Sequence, residues 1–126
     1  MKLLKKISLV LLIIGYLAAG VNHFRVPETY IPIIPAYITF PKFVNIAAGF
    51  FELLFGFMLI FKNTRITAAW GIIILLVLFI PVHVAMVLHA PFYWGKLFVT
   101  PLIAWLRLAA LQPLLILWAW WHTRHN

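Results

Sequence analysis

Residues 66–88 read ITAAWGIIILLVLFIPVHVAMVL. The stretch contains no Asp, Glu, Lys or Arg, and it is predominantly apolar on every side when it is drawn as a helix. Its length matches the roughly 20 residues that an α-helix needs to cross a hydrocarbon layer about 30 Å thick. Because backbone polar groups in lipid must be bonded within their own segment, a spanning stretch of this kind has to be helical. The stretch therefore predicts a transmembrane helix.

Three more segments of the same character lie along the chain, at about residues 7–24, 43–61 and 100–121. Hydrophobic residues make up 66% of the chain and charged residues 10%, and the mean hydropathy is +1.09. A soluble domain keeps more charge than this on its surface, because its polar residues face water. We therefore predict an all-α fold, a four-helix transmembrane bundle that forms a single integral membrane domain over residues 1–126.

Prolines are placed at the end and in the interior of these predicted helices. Pro101 suits the first turn of the fourth helix, where the missing N–H costs nothing. Pro81 and Pro113 lie inside the third and fourth helices, so we predict kinks at both positions.

The first segment also has features of a signal peptide, since lysines precede an apolar core and the small residues 18–20 follow it. The apolar run continues through Phe24, which is longer than a typical signal core. A retained first helix is therefore favoured over a cleaved one.

The net charge of +8 does not indicate a nucleic-acid partner, because the ten Lys and Arg residues lie mostly at segment ends and form no basic stripe. Such flanking cations contact lipid headgroups and fix orientation. The end that carries both termini would have six cations and the opposite end three, which predicts cytoplasmic termini. The six are Lys2, Lys5, Lys6, Lys62, Arg65 and Arg124, and the three are Arg25, Lys42 and Lys96.

The segment from residue 25 to residue 42 is unusual for a loop, because it is rich in proline and also apolar. Four prolines prevent a continuous helix, and the isoleucine and aromatic side chains would avoid bulk water. We predict an interfacial segment between helices 1 and 2, folded over the outer end of the bundle. The alternative is a linker at headgroup level that has no function of its own.

Two charged residues lie deep within the predicted helices. A charged side chain at the bilayer centre costs about 2.5–3.5 kcal/mol on insertion scales, so each needs a structural reason. Glu52 shares one helical face with Asn45, Gly49 and Gly56, which predicts that it points into the bundle. Arg107 lies at nearly the same depth, so we predict an ion pair between Glu52 and Arg107, or a water-bridged version of that pair. The alternative for Arg107 is that it extends toward the outer headgroups.

Further polar side chains should reach the same level, and on the first helix Gly15 and Ala19 share a close-packing face with Asn22. The resulting cluster could be a structural polar core, a proton-transfer site, the polar end of a ligand cavity or a metal site. No local spacing of ligands supports a metal, so we predict none. The predicted cluster is Asn22, His23, Glu52, His83 and Arg107.

Five motifs follow one another along the chain, and they are Gly20-Val-Asn-His-Phe-Arg-Val-Pro27, Ile34-Pro-Ala-Tyr37, Gly49-Phe-Phe-Glu-Leu-Leu-Phe-Gly56, Ala68-Ala-Trp-Gly71 and Phe79-Ile-Pro-Val-His83. In order and spacing they resemble the DoxX-like family of small bacterial four-helix membrane proteins. The resemblance implies a compact bundle in the bacterial inner (cytoplasmic) membrane, with Asn22, His23, Glu52 and His83 lining a polar centre. That family takes its name from quinone-linked oxidation of sulfur compounds, so quinone is a possible cofactor, although the residues themselves require none.

Three classes of function remain open at this stage. The chain has no cysteine and no nucleotide-binding motif, so hard redox chemistry would need a cofactor or a partner. We therefore expect an accessory or small-ligand-binding component that is not an enzyme on its own, with the lipid bilayer and a membrane redox or envelope protein as partners. The alternatives are a quinone- or proton-coupled redox subunit and a small transporter or lipid-binding protein, working as a homo-oligomer if four helices enclose too little space.

Overall fold

A computed structural model of the protein describes residues 2–124, and the chain is helical over most of that range. The elements, in order, are α1 (Leu3–Arg25), α2 (Pro27–Tyr30), a 3₁₀ turn (Ile31–Ile33), α3 (Pro41–Met58), α4 (Arg65–Leu78), α5 (Ile80–His89), β1 (Phe92–Trp94), β2 (Leu97–Val99), α6 (Pro101–Leu106), a π-helical turn (Arg107–Leu111) and α7 (Gln112–Trp121).

Four helical stretches are long and apolar enough to cross a membrane, which is compatible with a membrane protein. The all-α class is confirmed, and the four predicted apolar segments each correspond to one of these stretches. Their ends differ from the prediction by a few residues. The stretches are Leu3–Arg25, Pro41–Met58, Arg65–His89 and Pro101–Trp121.

On α3 most of the large apolar side chains are exposed and two polar side chains are buried, which is the opposite of a helix on the surface of a soluble protein. Phe43, Phe50 and Phe57 recur every seven residues and are 70%, 54% and 56% exposed. Asn45 and Glu52 are only 3% and 5% exposed on the opposite side. A helix that turns its aromatic residues outward and its polar residues inward suits an apolar surrounding medium.

Small residues let α1 and α3 approach closely. A Cβ atom added at Gly20 would lie 2.7 Å from Cγ of Leu53 and 2.9 Å from the backbone N of Leu53. A Cβ atom added at Gly49 would lie 2.8 Å from Cβ of His23. The prediction that Gly15 belongs to the close-packing face is wrong, since nothing lies within 4 Å of a Cβ atom added there. Gly20 occupies the close contact instead.

The beginning and the end of the described chain meet at one end of the helices. Nζ of Lys5 donates to the backbone oxygen of Arg124 at 3.1 Å. Nε1 of Trp118 donates to Oγ of Ser8 at 2.7 Å, and that hydroxyl lies 3.0 Å from Nε2 of His122. The main hydrophobic core comprises Leu9, Leu12, Leu59, Ala68, Ala69, Ile72, Leu76 and Ala119.

Both interior prolines coincide with a change in the helical hydrogen-bond pattern. The third long helix is interrupted at Phe79, between α4 and α5, because Pro81 has no N–H to continue the ladder. The fourth contains the π-helical turn Arg107–Leu111 immediately before Gln112 and Pro113. Such turns are a common cause of helix bending and are frequent at functional sites.

The hairpin β1–β2 was not predicted from the sequence. Its strands pair antiparallel from Phe92 with Val99 to Trp94 with Leu97, which leaves a two-residue turn. Gly95 opens that turn with a φ of 62°, a conformation that favours glycine. The hairpin directly precedes α6, where the side chain of Thr100 accepts from the backbone N–H of Ile103.

Candidate functional site

A partly open cavity of about 320 Å³ lies at the end of the helices opposite to the chain termini, and we call it the polar cavity. Its walls come from α1, α3, α5, α6, the segment after α1 and the hairpin. Most of the lining is aliphatic or aromatic. The polar side chains in its walls are those of His23, Asn45, Glu52, His83 and Arg107, with Tyr30 and Trp94 beside them.

His23 and Glu52 are in contact, and they form an ion pair when His23 is protonated. Nε2 of His23 lies 3.5 Å from Oε1 of Glu52, and both residues are buried. The pairing follows from the close approach of α1 and α3 at Gly20 and Gly49, which brings the two side chains to the same level. A buried carboxylate of this kind needs a partner of opposite charge or a hydrogen-bond donor.

Asn45 fixes the orientation of the His23 ring. Nδ2 of Asn45 donates to the backbone oxygen of His23 at 3.0 Å, so the amide oxygen of Asn45 is turned toward the ring. Nδ1 of His23 lies 2.7 Å from that oxygen and must be the donor, since an amide oxygen only accepts. The hydrogen-bond network therefore assigns the proton on Nδ1 and leaves Nε2 facing Glu52. That last contact is favourable when one proton is shared between Nε2 and Oε1.

Within residues 2–124, Arg107 makes no direct ion pair with Glu52, so the predicted direct pair is wrong. The water-bridged form of the pair stays a prediction. The guanidinium donates from Nη1 to Oε1 of Gln112, and Nε2 of Gln112 donates to the backbone oxygen of Leu76. Gln112 is 1% exposed. The physical reason is local. Gln112 follows the π-helical turn and bonds both with the Arg107 guanidinium and with the backbone oxygen of Leu76, next to the break at Phe79. Glu52 is already in contact with His23. Both charged residues still line the polar cavity.

Asn22 lies outside the cavity, unlike the other four residues of the predicted cluster. Its Nδ2 donates to the hydroxyl of Tyr30 at 2.7 Å, and its Oδ1 accepts from the Arg25 guanidinium. Tyr30 stacks on His23 with ring centroids 4.0 Å apart, and Trp94 meets the Tyr30 ring edge-on at 5.5 Å. Asn22 therefore supports the aromatic wall of the cavity without lining it.

Three buried polar atoms in the cavity walls have no hydrogen-bond partner among residues 2–124. They are Oε2 of Glu52, Nδ1 of His83 and Nε1 of Trp94. Native proteins rarely leave such groups unpaired, because each costs about 1–3 kcal/mol. The carboxylate oxygen accepts, the indole N–H donates, and the imidazole nitrogen can do either. The cavity is thus mostly apolar, and three of the side chains that line it carry a buried polar atom without a partner.

No group of three His, Cys, Asp or Glu side chains that could hold a metal ion is found within residues 2–124. His89 and His122 do not line the polar cavity, and His125 lies outside the described residues. His122 belongs to the opposite end of the helices, where it contacts Ser8.

Sequence reasoning missed three members of the site. Gln112 is the amide side chain in α7, whose other residues are apolar. A lone amide at such a position could have indicated a buried hydrogen-bond partner. Tyr30 and Trp94 were not included in the predicted cluster, because nothing in their local sequence places Tyr30 against His23 or Trp94 against Tyr30. Asn45 was placed on the correct face of α3, but its bond with His23 depends on how α1 and α3 pack.

A protein-family model matches residues 12–123, which include every residue that lines the polar cavity. The chain belongs to this family, described as Domain of unknown function (DUF8561). In this DUF8561 protein the match also includes the whole of α7 and His122, the residue that contacts Ser8. No curated protein and no solved structure matches the chain.

Proposed function

We propose that this protein is a membrane-embedded, small-ligand-binding component that holds a mostly apolar molecule in the polar cavity. The three unpartnered buried atoms on the walls of one cavity carry the proposal. Ligand sites in proteins are typically apolar pockets with a small number of convergent polar groups, and about 320 Å³ is within the usual size range.

The proposed setting is a four-helix transmembrane bundle in a bacterial inner membrane, with both termini in the cytoplasm. The meeting of Lys5 with Arg124 supports a common side for the two ends of the chain, and the excess of cations at that end supports the cytoplasm. Residues 27–33 form a short helix and a 3₁₀ turn, and Tyr30 and Ile33 contribute to the cavity wall, which supports a proline-rich interfacial segment over the bundle.

A DoxX-like relationship remains part of this proposal. The motifs that carry the resemblance supply His23, Glu52 and His83, which all line the polar cavity. As an accessory component, the protein would deliver or sense its ligand for a membrane redox or envelope protein. No reaction is assigned to the chain itself.

The second candidate is a proton-coupled redox subunit, and the His23–Glu52 pair favours it. One proton shared between an imidazole and a carboxylate beside a ligand cavity suits transfer to a carrier such as a quinone. Quinone recovered from the cavity would favour this candidate over simple binding.

Native mass spectrometry of protein released from lipid nanodiscs tests the proposal. Ala48 is 7% exposed and lines the cavity, so Ala48→Leu should place a larger side chain in the ligand's space. Ala47 is the adjacent residue and does not line the cavity, which makes Ala47→Leu the matched control. We expect a defined extra mass in the wild type and in Ala47→Leu that is lost in folded Ala48→Leu. The same adduct in all three proteins, or none in any of them, would contradict binding in this cavity.

A further inference from the structure

Arg107 carries a positive charge that no acidic side chain balances within residues 2–124. The protein has only two acidic residues, Glu28 and Glu52. Glu52 pairs with His23, and Glu28 is exposed on α2. Within residues 2–124, the side-chain hydrogen bond of Arg107 goes to the neutral amide of Gln112. A half-buried cation in an apolar wall is costly unless an anion pairs with it.

The hydrogen-bond network holds Arg107 in the cavity wall. Gln112 is 1% exposed and is itself anchored to the backbone oxygen of Leu76, next to the break in the third long helix at Phe79. A guanidinium has five N–H donors, and the bond to Gln112 uses one of its terminal nitrogens. Among the described residues the remaining donors have no partner, and they suit a planar or tetrahedral anionic group.

The His23–Glu52 pair does not repel an anionic ligand. When His23 and Glu52 share one proton, the pair is neutral as a unit. Arg107 is then the net charge of the cavity. His83 and Trp94 also line the cavity, and each has a buried ring nitrogen that can donate and has no partner within residues 2–124.

We propose that the cavity binds an amphiphile with a single anionic head, a carboxylate or a phosphate ester, which pairs with Arg107. The apolar body of this ligand lies against Val82, Met86, Val99 and Ile103, which line the same cavity. The inference rests on the proposed binding function and names the ligand class for it. Gln112 acts as a positioning residue, because it holds the guanidinium at the wall.

The test compares decanoate with decanol, which differ in the anionic head and share the apolar chain. Native mass spectrometry measures the bound fraction of each in nanodiscs of zwitterionic lipid. Arg107→Gln is the test variant, and Arg25→Gln is the matched control, since Arg25 is exposed and does not line the polar cavity. We expect decanoate to bind the wild type and Arg25→Gln equally well, and to bind Arg107→Gln at least about tenfold more weakly. Decanol binding should be the same in all three proteins.

A second set of nanodiscs identifies the source of the anion. If the head belongs to a membrane lipid, one anionic phospholipid should be retained per wild-type protein and lost in Arg107→Gln. If the ligand is a free carboxylate, decanoate should bind while no phospholipid is retained. Both results support an anionic head at Arg107.

Two results would overturn the inference. Equal binding of decanoate and decanol, unaffected by Arg107→Gln, would leave a binding cavity without anion recognition. Failure of every probe to bind, with no retained lipid, would reject the binding function as well. If Arg107→Gln does not fold, Arg107→Lys replaces it as the test variant. The lysine keeps the positive charge, so the preference for decanoate over decanol should persist. Loss of that preference in folded Arg107→Lys would contradict the assignment.

Discussion

Nδ1 of His23 lies 2.7 Å from Oδ1 of Asn45, and this contact determines which nitrogen of the ring faces Glu52. The two residues come from different helices, α1 and α3, which meet where Gly20 and Gly49 leave room. The contact links the packing of the helices to the chemistry of the polar cavity, because the same ring that packs against Gly49 presents Nε2 to the carboxylate.

Replacing Asn45 should be costly, since the His23 N–H and the His23 backbone oxygen would both lose their partner. We expect Asn45→Ala to lower the free energy of unfolding by about 1–3 kcal/mol, measured by titration with SDS in mixed micelles. Asn22→Ala is the matched control, since Asn22 bonds with Tyr30 and Arg25 at a more exposed position. An equal or larger loss in Asn22→Ala would refute the anchoring role of Asn45.

Two double-mutant cycles distinguish the observed pairing of Glu52 from the one predicted by the sequence. His23→Gln and Glu52→Gln should be coupled by about 0.5–3 kcal/mol in unfolding free energy, because the side chains are in contact. Glu52→Gln and Arg107→Gln should be additive within about 0.5 kcal/mol. Strong coupling of Glu52 with Arg107, and none with His23, would restore the sequence-based pair.

Two glycines of α1 should respond in opposite ways to the same substitution. Gly20→Ala should destabilise the protein by about 1–3 kcal/mol, because the new Cβ would meet the backbone of α3 at Leu53. Gly15→Ala has open space and should be neutral or stabilising by up to about 1 kcal/mol, since alanine favours a helix. Thermal unfolding in detergent measures both, and a loss in Gly15→Ala as large as in Gly20→Ala would be inconsistent with this packing.

His122 should make stability depend on pH at the opposite end of the helices. Burial, followed by the charges of Lys5 and Arg65, lowers the pKa of His122 from 6.5 to about 4. The unfolded chain therefore binds more protons than the folded protein between these two values, and folding stability falls as the pH drops from 6.5 toward 4. His122→Gln lacks this titration, so the wild type should lose stability relative to the variant over that range. Parallel curves of unfolding free energy against pH would disprove the lowered pKa.

The helical fold and the four apolar segments follow from composition and segment length alone. The inward face of α3 could also be predicted, because Asn45, Gly49, Glu52 and Gly56 share one helical stripe and all are buried. These predictions depend on periodicity within one segment, which the sequence contains in full.

The partners of the buried polar groups could not be predicted in the same way. Glu52 has His23 and Arg107 at similar depth, and the choice depends on which helices are in direct contact. α1 packs along α3, whereas Arg107 is held by Gln112 within its own long helix. The choice of Gly20 over Gly15 has the same origin, since helical spacing allows either and only the interhelical geometry decides. The hairpin was missed because its strands are three residues each, too short for an alternating pattern.

The most direct measurement is a crystal structure of the protein purified and crystallised with its native lipids. The account predicts density for a non-protein molecule in the polar cavity, within hydrogen-bonding distance of at least two of Oε2 of Glu52, Nδ1 of His83 and Nε1 of Trp94. A cavity closed by its own side chains, with these atoms bonded to one another or to the chain, would contradict a ligand-binding function and leave the cluster as a structural element.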